Sequence, residues 1–450
     1  VENRALFYLE VEMEKNIILK SFIKYVTLNV VGMIGLSCYI LADTYFVSKG
    51  MGADGLTALN LAIPLYTFIN GTGLMIGIGG GARYAVLRAK GENDKADSIF
   101  TYSIEIGILI GLVFFFIGIF LGDKISYLLG ADEVTFKMTS TYLKTIMCFA
   151  PLFILNNIFL AFVRNDGDPK LAMGGMLLGS FSNIILDYVF IFPLGLGMFG
   201  AAFATGLAPV ISIGVLSIYL LKRRNQFHLK KEKLNINKVL ELCGTGASSF
   251  ITEISSGIVL IVFNTVILSL KGNTGVAAYG VVANLALVVI AIFTGIAQGI
   301  QPLVSKSYGN KNKEQLRYIL RYSILLSITI AIFVYWIVFF SADTLVSIFN
   351  KEKNKELFTL AVNGLHIYFT GFLFAGINII LSVFFSSMEH SKTGFIISIT
   401  RGFVAIVPAV LLLSYIFGMT GVWLSFPIAE LFASFSVIYF ISSNRNFFKK

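Results

Sequence analysis

The strongest constraint in this sequence is a succession of apolar runs, each about as long as a bilayer is thick. They fall at about 17–47, 56–81, 98–121, 138–163, 171–192 and 199–221, and then at about 239–270, 276–304, 318–341, 358–386, 394–416 and 419–443. A helix rises about 1.5 Å per residue, so roughly 20 apolar residues cross a hydrocarbon core of about 30 Å. Lipid offers the backbone no hydrogen bonds, so a span of this length has to be helical. The expected fold is an all-α polytopic membrane protein with about twelve transmembrane helices, one or two of which could instead be re-entrant or interfacial. Only 13% of the 450 residues are charged and the mean hydropathy is +0.81, whereas soluble proteins carry about 25% charged residues. The net charge of +10 would suggest nucleic acid in a soluble protein. Here the expected partner is the lipid bilayer, with no nucleic acid. Lys20 and Lys24 precede an apolar run as in a signal peptide, but the run is too long, so a retained first helix is expected.

Basic residues set the orientation. With the N-terminus in the cytoplasm, 26 of the 35 Lys and Arg fall on cytoplasmic segments and 7 on outside loops, with Lys144 and Arg401 left inside spans. That is a strong positive-inside bias. Both termini are therefore expected in the cytoplasm and the protein in the plasma (inner) membrane.

The chain also repeats. KGMGADGLTALNLAIPLYTF (49–68) resembles LKGNTGVAAYGVVANLALVV (270–289), AKGENDKAD (89–97) resembles SYGNKNKEQ (307–315), and LGLGMFGAAFA (194–204) resembles YIFGMTGVWLS (415–425). The offset stays within 218–222 residues. This predicts a six-helix bundle over 1–221, a basic cytoplasmic linker over 222–238 and a second six-helix bundle over 239–450. Parallel repeats of this kind suit alternating access, with a substrate cavity between the bundles.

Polar residues inside the spans are the functional candidates. A carboxylate at a span's centre costs roughly 2.5–3.5 kcal/mol on insertion scales, so it needs a partner or a role. Asn183 and Asp187 are four residues apart in SNIILDYVFIF and share a helix face. Asp187 lies 17 residues beyond Lys170, about 25 Å from the cytoplasmic surface. Asp43 lies 19 residues beyond Lys24, about 28 Å along its helix. Thr205 descends to a similar level from the outer side. Two carboxylates, an amide oxygen and a hydroxyl form an all-oxygen set, suited to a hard monovalent cation such as Na+ or to a shared proton. The alternative is that each is a satisfied helix-packing residue. The repeat places Asn264, Pro408 or Ala409, and about Phe426 opposite Asp43, Asp187 and Thr205, so this chemistry is confined to the first half.

Other polar residues leave two readings open. Glu253 is the second half's candidate proton site, or a structural partner of Arg401. Asn156 and Asn157 line a cavity or join helices. Met33, Met173 and Met176 offer an adaptable surface for varied apolar ligands, or face lipid. GTGLMIGIGGG (71–81) lies in a span without strand context and reads as packing. The absence of GxxxxGK[ST], HExxH and GxSxG argues against direct use of ATP and against an enzyme. Cys38, Cys148 and Cys243 share no ligand spacing. No cofactor is expected beyond a coupling ion.

The motifs ADTYFV with Asp43, RNDGDPK after the fourth span, NIILDYVFIF, and GLGMFGAAFAT ending at Thr205 resemble the multidrug and toxic compound extrusion (MATE) family, in the branch containing DinF and MepA transporters. The resemblance covers nearly the whole chain. It implies a cation site in the first lobe at Asp43, Asn183, Asp187 and Thr205. It also implies antiport of amphipathic, often cationic drugs against Na+ or H+, hence antibiotic resistance, by a monomer. Glu253 resembles the second-lobe acid of the NorM branch, but GFLFAGINIIL has Asn378 where that branch carries an Asp in span ten. The rival expectation is a flippase or exporter of a lipid-linked or amphipathic precursor. Lateral basic cavity residues would favour it, and only Lys144 and Arg401 lie inside spans.

Overall fold

The apolar runs form helices from end to end, and glycines decide where they break. The computed structural model describes the backbone of residues 2–350 and 354–443 and the side chains of 15–350 and 354–437. Arg4, Lys351, Lys353, Arg445, Lys449 and Lys450 of the orientation argument fall outside the described side chains.

The first two spans are one long helix, α1 (Glu2–Ala89), broken at Gly52 (φ 69°, ψ −155°). The seventh and eighth are another, α7 (Ile236–Gly309), broken at Gly272 (φ 58°, ψ −153°). Only glycine takes that backbone shape cheaply, and both halves of the repeat place one there. Between them run α2 (Asn93–Leu128), α3 (Phe136–Cys148), α4 (Ala150–Asn165), α5 (Pro169–Ile191) and α6 (Gly197–Leu221). After them come α8 (Lys313–Phe349), α9 (Lys355–Tyr368), α10 (Phe372–Ser387), α11 (Ser391–Ile399), α12 (Ile406–Phe417) and α13 (Met419–Ser443). Pro151 stands at the start of α4, and α3 and α4 form one span bent by 48°. A single 3₁₀ turn joins α9 to α10, and a π turn at Thr400–Val404 joins α11 to α12. Counting α1 and α7 twice and these three joined pairs once gives twelve spans among the described residues, with no strand. The protein is an all-α polytopic membrane protein.

The chain divides into two compact units. One gathers the chain up to Val31, Ala85–Glu92 and the chain from Phe263; the other gathers Gly32–Tyr84 and Asn93–Val262. Small residues build both. In the second unit, a Cβ on Gly246 would stand 1.8 Å from the Met75 carbonyl oxygen, so α7 and α1 meet backbone to backbone. In the first, Gly295 and Gly299 press in the same way on Val30 and Val26 of α1.

The basic linker is fastened rather than free. The motif RNDGDPK supplies the fastening. Gly167 turns the chain (φ 113°) and Asp168 caps α5 by accepting from the Leu171 N–H at 3.1 Å. Asp166 accepts from the hydroxyls of Tyr84 (2.5 Å) and Tyr219 (3.0 Å) and from the Gln226 N–H (2.8 Å). Next along the linker, Phe227 is buried among Tyr84, Phe100, Phe162 and Tyr219. Lys230 then pairs with Asp94 (2.9 Å), and Glu232 accepts from Ser98 and Tyr102, each at 2.9 Å.

Lys144 departs from the sequence reading. It sits on α3, but its ammonium reaches Asp123 at 2.6 Å with 38% of the side chain exposed, so it is a snorkelling surface base.

Candidate cation site

Three helices of the unit that contains Gly32–Tyr84 build the site. Asp43 lies on the first arm of α1, Asn183 and Asp187 on adjacent turns of α5, and Thr205 on α6. All four are buried, with Asn183 and Asp187 at 0% exposure. The Asn183 Nδ2 donates to Asp187 Oδ2 at 3.0 Å, and its Oδ1 accepts from the Thr205 N–H at 3.2 Å. The Thr205 hydroxyl lies 3.3 Å from that same end of the amide. Asp43 is close enough for its charge to act on Asp187. Oδ1 of Asp43 and Oδ1 of Asp187 are buried without a hydrogen-bond partner. Neither carboxylate has a basic partner among the described ion pairs.

Two neighbouring buried carboxylates without a counter-charge cannot both stay ionised. They call for a proton or a bound cation. The donors present fit either: two orphaned carboxylate oxygens, an amide oxygen and a hydroxyl, all hard ligands. Pro209 adds to the set. It lies four residues after Thr205 and has no N–H, so the Thr205 carbonyl is denied its usual helical donor.

Sequence reasoning missed the tyrosines around this set. Tyr142 on α3 is buried and within electrostatic reach of both aspartates. Tyr39, one turn before Asp43, shares a 3.0 Å hydroxyl contact with Tyr66 on the second arm of α1. The four-residue spacing of Tyr39 and Asp43 was the signal available for the first of these. The charges of both Asp43 and Glu253 reach Tyr66.

Glu253 is half-buried in this same unit, not with the second-half helices where the sequence reading set it. Asn70 donates to its Oε1 at 2.8 Å, and Asn157 donates to Asn70 at 3.0 Å. Asn157 thus joins helices while reaching an acid. Asn156 keeps a buried Oδ1 without a partner. Arg401 does not pair with Glu253; its partner is Glu430 at 2.6 Å. Asn378, where an acid was expected, donates to Glu430 Oε2 at 2.8 Å. Met176 packs its sulfur against Gly32, and Met33 and Met173 are half-buried.

Twelve spans in two repeated halves, with an uncompensated carboxylate pair in the first half, define a polytopic transporter fold. The comparisons specify which one. A family profile described as MatE matches residues 30–189 and 248–411, and the chain belongs to that family. It is 27% identical over 432 residues to the multidrug export protein MepA of Staphylococcus saprophyticus subsp. saprophyticus, covering 96% of this chain and 94% of that one. It is 26% identical over 449 residues to MepA of Staphylococcus haemolyticus, covering 99% and 97%. Among solved structures, the outward-facing conformation of a multidrug resistance MATE family transporter of the MOP superfamily shares the fold at a TM-score of 0.86. That match has 23% identity and covers 95% of each chain.

Proposed function

We propose that this protein is a multidrug efflux antiporter of the plasma membrane, exporting amphipathic, often cationic organic compounds against inward Na+ or H+. The kinship with MepA multidrug export proteins supports the export. The coupling rests on one observation, the buried pair Asp43 and Asp187, each with an oxygen lacking a partner. A site of this kind changes its affinity when the helices carrying it move. Cation and drug then favour different states, and the coupling is the difference in their affinities for those states. Asp43 and Asp187 hold the ion, Asn183 and Thr205 orient them, and Glu253 is a second candidate for a proton. Alternating access by a monomer with both termini in the cytoplasm completes the reading.

The test is drug-driven exchange in proteoliposomes under separately imposed Na+ and H+ gradients. Wild type should export drug down one gradient. Asp43→Asn should fold, bind drug and lose gradient-driven export by at least about tenfold, the equivalent of about 1.4 kcal/mol. Full export by that variant sinks the coupling role. Absence of drug movement under either gradient, from folded protein, would transfer the case to a lipid-linked or amphipathic precursor.

A further inference from the structure

The two halves make the same turn at the ends of α1 and α7, with one difference. In the first, the N–H groups of Lys90, Gly91 and Glu92 donate to Val86, Arg88 and Leu87. In the second, Asn310, Lys311 and Asn312 donate to Lys306, Tyr308 and Ser307 in the same pattern. The residue forced to positive φ is Gly91 (φ 77°) in one and Lys311 (φ 56°) in the other. A lysine is disfavoured in this conformation, and the repeat demonstrates that glycine serves the turn. A residue held against its backbone preference points to a function for its side chain.

Lys311 opens onto a pocket of about 260 Å³, lined by Lys90, Lys311, Lys313, Tyr308 and Leu316. All five belong to one compact unit. The three lysines are exposed, Tyr308 is half-buried and Leu316 is buried. Lys313 and Leu316 stand on the first turn of α8, whose N-terminus favours negative charge. The acids nearby include Glu389, 3.8 Å from Lys90, Glu92 in the first half's turn itself, and Glu314 on the first turn of α8, held by the Tyr318 hydroxyl at 3.2 Å. Three lysines around an apolar residue, Leu316, suit a phosphate that carries an apolar tail.

We propose that this pocket binds a phosphate-bearing anion, supplied as the headgroup of an acidic phospholipid in the cytoplasmic leaflet. The leaflet follows from the orientation given above; the pocket is independent of the cation site. Basic pockets between spans at that level take acidic headgroups by charge, and their lysine stems stay in apolar contact.

The experiment follows thermal unfolding of the full chain in neutral detergent. It is titrated with phosphatidylglycerol, with phosphatidylcholine, or with inorganic phosphate at matched ionic strength. Wild type should gain several degrees with phosphatidylglycerol and nothing with phosphatidylcholine. Lys311→Gly should start at or above the wild-type midpoint, because the turn is relaxed, yet gain little with phosphatidylglycerol. The Lys90→Gln/Lys313→Gln double variant should also lose the gain. A full gain in both variants overturns the site. An equal gain from inorganic phosphate overturns the lipid assignment and leaves a free-anion pocket.

Discussion

Asp43 and Asp187 were legible because the hydrocarbon core makes every acid conspicuous, and because spacing from the nearest lysine flanking the span gives depth. Tyr39, Tyr66 and Tyr142 were not, since a tyrosine in a span is equally at home in the interfacial belt. Nor could spacing decide which acid Arg401 meets. That depends on the π turn at Thr400–Val404, which carries Arg401 to Glu430. Glu430 is 3% exposed and Asn378 is fully buried, so Glu430→Gln leaves a buried guanidinium without its acid. The loss should be about 3–5 kcal/mol of stability, read as a fall in the unfolding midpoint in detergent. Replacing Arg401 and Glu430 together with Met should recover most of it. A double variant no better than the single one would contradict this account.

At the scale of elements, the spans were visible but the joint between the first two was not. Apolar runs at 17–47 and 56–81 read as two helices and a loop, whereas the turn between the two arms of α1 is made at a single non-helical residue, Gly52. In α6, Pro209 was equally visible and its consequence was not, because it concerns the carbonyl of a residue one turn earlier. Pro209→Ala should return a helical donor to Thr205 and raise stability by about 1 kcal/mol. The same change should weaken cation affinity by about threefold to tenfold if that carbonyl serves the ion, at a cost of roughly 0.7–1.4 kcal/mol. Cation-dependent protection in thermal unfolding measures both. A more stable protein with unchanged protection would remove the carbonyl from the set.

For the whole molecule, the duplication was written in matching glycines and turns, but the membership of the two compact units was not. The approaches at Gly246 and at Gly295 that assign each arm of α1 and α7 are tertiary contacts with no local signature. The linker was misleading in a similar way. It read as a basic linker, while Phe227 and Glu232 seat it on the helices. The Tyr102 hydroxyl, then that of Ser98, holds the Glu232 carboxyl below the usual range. A depressed acid stabilises the folded contact above its unfolded value, about 4.3, and that contribution is lost as pH falls through the depressed value. Amide exchange across 226–232, normalised for intrinsic rate, should therefore rise on acidification below about pH 4.3. Glu232→Gln should flatten that dependence. A profile identical to wild type would place the seating elsewhere.

The seated linker also decides where this chain can be cut and rejoined. Between Glu232 and the start of α7 at Ile236 only Lys233, Leu234 and Asn235 lie exposed with no helical backbone, roughly 10 Å of extended chain. A fluorescent domain or protease site spliced between Gln226 and Glu232 has to evict an aromatic ring from its socket. Spliced at Lys233–Leu234, ahead of the Asn235 side chain that accepts from the Asn237 and Lys238 N–H groups at the start of α7, it meets solvent. The segment that looks like a generous tether is a buckle with a short free end, and that free end offers a seam for splitting the gene into two co-expressed halves.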